Sequence, residues 1–259
     1  MKLEFDGEKY KRASKQQKAW GKKLICGLDL RGDERILDLG CGDGVLTAEL
    51  AKAAPDGFVL GIDASGSMIE TARNDHARAN LRFELQDIND MDFESRFDLV
   101  FSNATLHWIK DHARLLGNVF RALAERGTVR FQFAADGNCS TLIRVLKAVT
   151  SAKKYASYFA EFEWPWYMPT ARQYRKLLDE VPFTQSQVWC EDADKYFAGA
   201  EELTGWIDQP SIVPFLGPVA DEDKRPFRDA VVEQMIEQTR QKDGTYFETF
   251  RRMNVFAKK

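Results

Sequence analysis

Arg35-Ile36-Leu37-Asp38-Leu39-Gly40-Cys41-Gly42-Asp43-Gly44 decides the fold of this chain. Ile36 to Leu39 is a short apolar run that reads as a buried strand, and Val45-Leu46-Thr47-Ala48-Glu49-Leu50-Ala51, beyond three alternating glycines, reads as a helix. Glycines at a strand-to-helix turn supply φ values that other residues avoid, and they let a ligand come close to the main chain. The dinucleotide fingerprint asks for Gly or Ala three residues after its second glycine. Val45 stands there, and no P-loop Lys-Ser/Thr follows. A second apolar run, Phe58-Val59-Leu60-Gly61-Ile62, ends in Asp63, where an acid hydrogen-bonds ribose hydroxyls. Asp38 is a carboxylate inside a strand, costly to bury unless a donor such as an ammonium or a backbone N–H meets it.

Together these residues resemble the class I S-adenosylmethionine-dependent methyltransferases. The resemblance implies that Asp38, Gly40, Cys41 and Gly42 cradle the methionine part of S-adenosyl-L-methionine, with S-adenosyl-L-homocysteine as product, and that Asp63 with Ala64 holds the ribose. Asp87 would accept from the adenine amino group while Ile88 packs on the ring; Met68 either covers the other ring face or belongs to ordinary helix packing. In Phe101-Ser102-Asn103-Ala104-Thr105-Leu106-His107-Trp108-Ile109, the resemblance has Asn103 and Ala104 line the methionine portion, with His107 and Trp108 at the floor of the substrate pocket. His107 is equally readable as a structural residue. A leading helix, Lys11 to Leu24, would close over the cofactor through Tyr10, Ser14, Gln17 and Trp20, or else lie solvated with Trp20 as its anchor.

The order of elements gives an α/β, doubly wound, mostly parallel sheet, and the resemblance implies the seven-stranded Rossmann-like methyltransferase form of it, with the last strand antiparallel, plus a helical cap. Strands are expected at 36–40, 58–62, 81–86, 97–102, 127–134, 186–196 and 247–259, with helices at 44–53, 67–77, 112–124, 170–180, near 200–206 and from 221. In the last of these, Phe227, Val231, Met235 and Gln238 form one stripe. The chain reads as a single methyltransferase domain over 1–259: cofactor-covering helices at 1–30, a cofactor-binding core at 31–135, and cap insertions at 136–180 and 198–245. Tyr155, Tyr158, Phe159, Phe162, Trp164, Trp166 and Tyr167 crowd the first insertion. Most should form the core of the cap, with one or two facing substrate.

A net charge of -3 and a pI near 5.8 argue against a nucleic-acid binder. With no bilayer-length apolar run, and no signal peptide in Met1-Lys2-Leu3-Glu4-Phe5-Asp6, a cytoplasmic protein without membrane partners is expected. Cys26, Cys41, Cys139 and Cys190 are scattered, and His76, His107 and His112 have no zinc spacing, so no metal is expected.

His107-Trp108 followed by Asp111-His112 resembles one subgroup, the trans-aconitate and juvenile-hormone acid methyltransferases, both of which methylate carboxylates. Glu202-Leu203-Thr204-Gly205-Trp206-Ile207, Val213-Pro214-Phe215-Leu216 and Phe250-Arg251-Arg252-Met253 are similar in order and spacing. Arg126-Gly127 departs from the family's usual Pro-Gly-Gly. The expected reaction is O-methylation of a small carboxylic acid. A carboxylate is ionised at neutral pH and needs no general base, so proximity and removal of water would carry catalysis. Arg251 or Arg252 would meet further carboxylates of a polyacid. The rival readings are methylation of a phenol, hydroxyl or nitrogen, for which His107 would be the base of an oxygen acceptor, and a non-catalytic S-adenosylmethionine-binding module. A monomer or weak homodimer is expected.

Overall fold

In the computed structural model, which describes residues 15–259, the glycine turn joins β1 (Arg35–Leu39) to a helix over Val45–Ala53. That helix is α2; α1 is Lys15–Cys26. The alternation continues through β2 (Phe58–Asp63), α3 (Gly66–Asp75), β3 (Leu81–Leu85), β4 (Phe97–Asn103), α4 (His112–Ala122) and β5 (Leu123–Ala134). Then come α5 (Ser140–Ser151), α6 (Ala171–Asp179), β6 (Gln185–Asp192), β7 (Lys195–Phe197), α7 (Ala200–Trp206), α8 (Val213–Leu216), α9 (Asp221–Thr239), β8 (Tyr246–Glu248) and β9 (Arg251–Lys258). Seven strands form one sheet in the order β3-β2-β1-β4-β5-β9-β6, with β9 antiparallel to β5. This is the expected fold class. Tyr10 and Ser14 lie outside the described residues.

By internal packing the chain divides into two compact units. The first holds the described residues to Asp136, Trp166–Glu191 and Arg252–Lys259; the second holds Gly137–Pro165 and Asp192–Arg251. The first unit carries the sheet. On one face Leu37, Leu39, Leu60, Ile62, Val100, Phe131, Phe133, Met253 and Val255 pack with Leu115, Leu116 and Val119 of α4 and Tyr174 of α6. The other face, with Ile36, Val59, Leu99 and Phe101, packs with Leu24 of α1, Leu50 of α2 and Ile69 of α3. Gly21 lets α1 approach closely, because a Cβ there would stand 2.2 Å from Leu46 Cδ1 and 3.1 Å from Asn103 Nδ2.

In the second unit, Tyr155, Phe159, Phe162 and Trp164 pack with Phe215 and Phe227 at ring-centroid distances of 5.1–6.4 Å. Glu248 is fully buried and accepts from the backbone N–H groups of Thr141, Leu142 and Thr249, which caps the start of α5.

Four local expectations change. The strand expected at 186–196 is two, and β7 pairs with β8 in a separate small sheet. The strand expected at 247–259 also breaks, at Thr249–Phe250, where Thr249 accepts from Ser140 N–H and Phe250 donates its N–H to Asp194. In α9 Gln238 is exposed, and Thr239 is buried with Phe227, Val231 and Met235. β5 begins at Leu123, with a register shift against β4 and Arg126 at φ 64. An arginine thus takes the left-handed conformation for which glycine is favoured. Among the described residues, no helix is long and apolar enough to cross a membrane, and no group of three His, Cys, Asp or Glu could hold a metal ion.

Candidate functional site

The carboxyl ends of β1, β2 and β4 meet at the glycine turn. Gly40, Gly42 and Gly44 all have positive φ, but for different reasons. A Cβ on Gly40 would stand 2.1 Å from Thr105 Cγ2, and one on Gly44 would meet Phe83 and Ala72 within 3 Å; at Gly42 a Cβ would meet nothing within 4 Å. Two of the glycines therefore serve internal packing, and Gly42 faces open space. The turn is pinned by the N–H groups of Gly40 and Cys41, both donating to Ile62 O, and by Thr105 Oγ1, which donates to Gly40 O at 3.0 Å.

Asp38 lies beneath the turn, 2% exposed, and accepts from Thr47 Oγ1 at 2.8 Å. The partner is a hydroxyl of α2, not the ammonium or backbone N–H expected. One neutral hydrogen bond does not offset its desolvation, and burial raises its pKa from 3.8 to about 7, with Asp63 adding to the rise. Asp63 accepts from Gly42 N–H and Ser65 N–H, each at 2.9 Å, so it ties the turn to the end of β2. Burial raises its pKa too, although these backbone donors oppose the shift.

Gln17, Asp38, Gly40, Cys41, Gly42, Asn103 and Ala104 line one pocket, joined by four residues the sequence reading missed: Lys18, Asp43, Leu46 and Thr105. Thr105 belongs to the stretch after β4 that the sequence singles out, but that it fills the side-chain space beside Gly40 shows only in the fold. Lys18 and Asp43, 25 positions apart, carry no local signal that they pair. Ala104 has φ 59, an uncommon conformation for a residue with a side chain, and donates its N–H to Gln132 O at 2.7 Å. Asn103 is 8% exposed and donates Nδ2 to Gln17 O at 3.0 Å. Its Oδ1 and Gln17 Oε1 are buried with no hydrogen-bond partner. Asp38, Gln17 and Asn103 thus present acceptor oxygens to the pocket that Gly42 lines, an acceptor set suited to an ammonium.

The residues expected around adenine do not line this pocket. Ala64 is exposed, while Met68 and Ile88 are buried at 3% and 5% exposure. Asp87 accepts through Oδ1 from the N–H and Nδ2 of Asn89, at 2.8 and 2.9 Å, and its charge raises the pKa of Asp63. Past β4, His107 O accepts from Tyr167 N–H at 2.8 Å, and Trp108 packs edge-on to Trp166 at 5.8 Å. His112 locks this segment through Nε2 at 2.9 Å from Leu106 O and Nδ1 at 3.1 Å from Tyr174 Oη. The His107 ring is desolvated, lies near Arg252 and His112, and has its pKa lowered from 6.5 to about 3.

Arg251, a candidate to meet an acceptor carboxylate, is ion-paired: its Nε lies 2.9 Å from Asp192 Oδ1, and its Nη1 is bonded to Asp194. Arg252, 4% exposed, stands with its guanidinium 4.7 Å over the Trp20 ring and Nη2 3.5 Å from Gln132 O.

A family model described as a methyltransferase domain matches residues 30–192. Trans-aconitate 2-methyltransferase of Methylobacterium radiotolerans is 29% identical, covering 86% of this chain and 83% of that protein. Trans-aconitate 2-methyltransferase of Deinococcus radiodurans is 31% identical over 75% of this chain and 76% of that one. Among solved structures, phosphoethanolamine N-methyltransferase 2 of Haemonchus contortus in complex with S-adenosyl-L-methionine superposes with a TM-score of 0.59 at 19% identity, covering 97% of this chain and 56% of that one.

Proposed function

Since the chain belongs to the methyltransferase-domain family and is a class I S-adenosylmethionine-dependent methyltransferase, we propose that it O-methylates a small carboxylic acid. The relatives named for trans-aconitate support that acceptor class. The observation that carries the reading is His107. With its pKa lowered to about 3 by burial, Arg252 and His112, it is a poor base for a hydroxyl or phenol at neutral pH, whereas a carboxylate requires none.

The chemistry of the pocket residues supports the cofactor's binding there. Gly42 leaves the space that a close backbone approach requires, and the unpartnered Asn103 Oδ1 and Gln17 Oε1 suit the methionine ammonium. S-adenosyl-L-methionine supplies an electrophilic methyl group on a sulfonium. Asp38 and Asp63 would place negative charge near it, and Asp63, which holds the turn, would accept from ribose. Asp87, Ile88, Ala64 and Met68, which lie outside the glycine-turn pocket, would hold the adenosine end, and His107 and Trp108 would bound the acceptor. Arg252 would meet a further carboxylate of the acceptor, and alignment with exclusion of water lowers the barrier, a class of effect worth up to ~7–11 kcal/mol.

Incubating the purified protein with labelled S-adenosyl-L-methionine and a panel of carboxylic acids, phenols and amines tests this. Methyl esters are expected, with His107→Ala leaving the pH profile of kcat/KM unchanged. Transfer to phenols alone, lost by about 10²–10⁴-fold in His107→Ala, would replace the carboxylate reading.

A further inference from the structure

Three carboxamides form a transverse row on the α1 side of the sheet. Asn103 of β4 is in register with Gln132 of β5, and Gln132 with Asn254 of β9. They are 8%, 6% and 0% exposed. Their orientations follow from their partners. Arg130, which can only donate, points Nη2 at Asn254 Oδ1 from 3.0 Å, and Gln132 Nε2 donates to the same oxygen at 3.1 Å. Gln132 Oε1 and Asn254 Nδ2 then remain buried without a partner, as does Nδ1 of the nearby His107. Each such atom costs about 1–3 kcal/mol. Two apolar residues at positions 132 and 254 would hold the strands without that cost, so the row is shaped for something polar.

Two further features say where that polar group comes from. The row starts at Asn103, in the wall of the glycine-turn pocket, and strands lie about 4.8 Å apart, so Asn254 is about 10 Å away. At that far end, two residues from Asn254 on the same strand face, stands the Arg252 guanidinium. α1 bridges the row: Gln17 O bonds Asn103, and Trp20, one turn on, lies against Arg252.

We propose that Gln132 and Asn254, with Arg252, form a specificity subsite for a second polar group of the acceptor, a carboxylate on the same small molecule distal to the one methylated. This rests on the carboxylate reading above. Asn254 Nδ2 donates to the distal carboxylate beside the Arg252 cation, Gln132 Oε1 accepts from a hydroxyl or water carried with it, and α1 covers the pair.

The test uses glutarate and valerate, a diacid and a monoacid of equal chain length, with Gln132→Met, Asn254→Leu and Asn254→Asp. Arg130 gives the carboxylate introduced by Asn254→Asp a partner, so that variant reports charge without loss of fold. Expected is a rise of about tenfold or more in the glutarate KM for Asn254→Leu, the scale of one lost hydrogen bond to a charge. Asn254→Asp should raise it further, with valerate KM and S-adenosyl-L-homocysteine affinity unchanged. Equal changes for both acids, or none, would overturn the proposal. If no acid is methylated, the carboxylate reading falls separately. Calorimetry of glutarate with the S-adenosyl-L-homocysteine complex still reads the row: uptake weakened by Asn254→Leu upholds the subsite, and uptake absent or unchanged removes it.

Discussion

Lys18 Nζ lies 2.6 Å from Asp43 Oδ2, with the two side chains 18% and 6% exposed, and this ion pair fastens α1 to the glycine turn. A pair so shielded responds to loss of one partner more than a surface pair does, because the remaining charge is stranded. Lys18→Met should weaken S-adenosyl-L-homocysteine binding by about tenfold, chiefly through faster release. Stopped-flow displacement checks it, and an unchanged release rate would show that α1 does not gate the pocket.

The turn glycines should separate in their effects. Gly40→Ala places a methyl 2.1 Å from Thr105 Cγ2 at φ +72, so it should lower the melting temperature by several degrees. Gly42→Ala, at φ +55 with open space around the methyl, should cost only about 1–2 kcal/mol of stability while blocking the ligand's approach. Melting curves with and without S-adenosyl-L-homocysteine distinguish them: Gly42→Ala should lose most of the ligand-induced rise.

Asp38 should make stability and binding vary with pH in opposite senses. Its folded pKa of about 7 lies above the ordinary 3.8. The stabilisation that comes from keeping it protonated is complete below 3.8 and is lost as pH rises through about 7. The unliganded protein should melt lower at about pH 8 than at about pH 5 through this group, and Asp38→Asn should flatten that slope. Cofactor affinity should instead rise over the same interval, because the ionised carboxylate faces a cation. Wild type and Asp38→Asn with parallel pH slopes would remove Asp38 from both roles.

Adjacent arginines should behave differently. Arg251, joined to Asp192 and Asp194, should on replacement by Ala cost at most about 1 kcal/mol of stability, with the acceptor KM unmoved. Arg252→Ala should raise the acceptor KM by about tenfold or more, the scale of a charged hydrogen bond. Arg252→Lys, which keeps the charge but not the fork, should recover only part. Steady-state kinetics across an acid panel reads both.

The glycine-turn pocket was legible because several of its parts leave a local mark. Glycines punctuate, short apolar runs announce parallel strands, and acids at strand ends are out of place unless used. The acceptor side left fewer marks. Met253, Val255 and Ala257 revealed one face of β9, but the buried partners of Asn254 and Arg252 on the other face come from β5 and α1, far away in sequence. Arg251 and Arg252 look alike in a sequence, but Asp192 and Asp194 hold the first, while the second stands buried against Trp20 and Gln132. The broken strands failed for a related reason. Thr249 and Asp194 read as ordinary strand residues until tertiary hydrogen bonds to Ser140 and Phe250 divide the runs.

The placement of β9 between β5 and β6 has a consequence for how the protein is made. As the polypeptide emerges from a ribosome, β5 and β6 are both available long before the strand that must come between them. Until Arg251–Lys258 arrives, two ladders of unpaired amides stand open, an invitation to the wrong neighbour. Chains that stop short of Arg251 should therefore collect as aggregates and not as weakened enzymes, because the eight residues of β9 close both edges together.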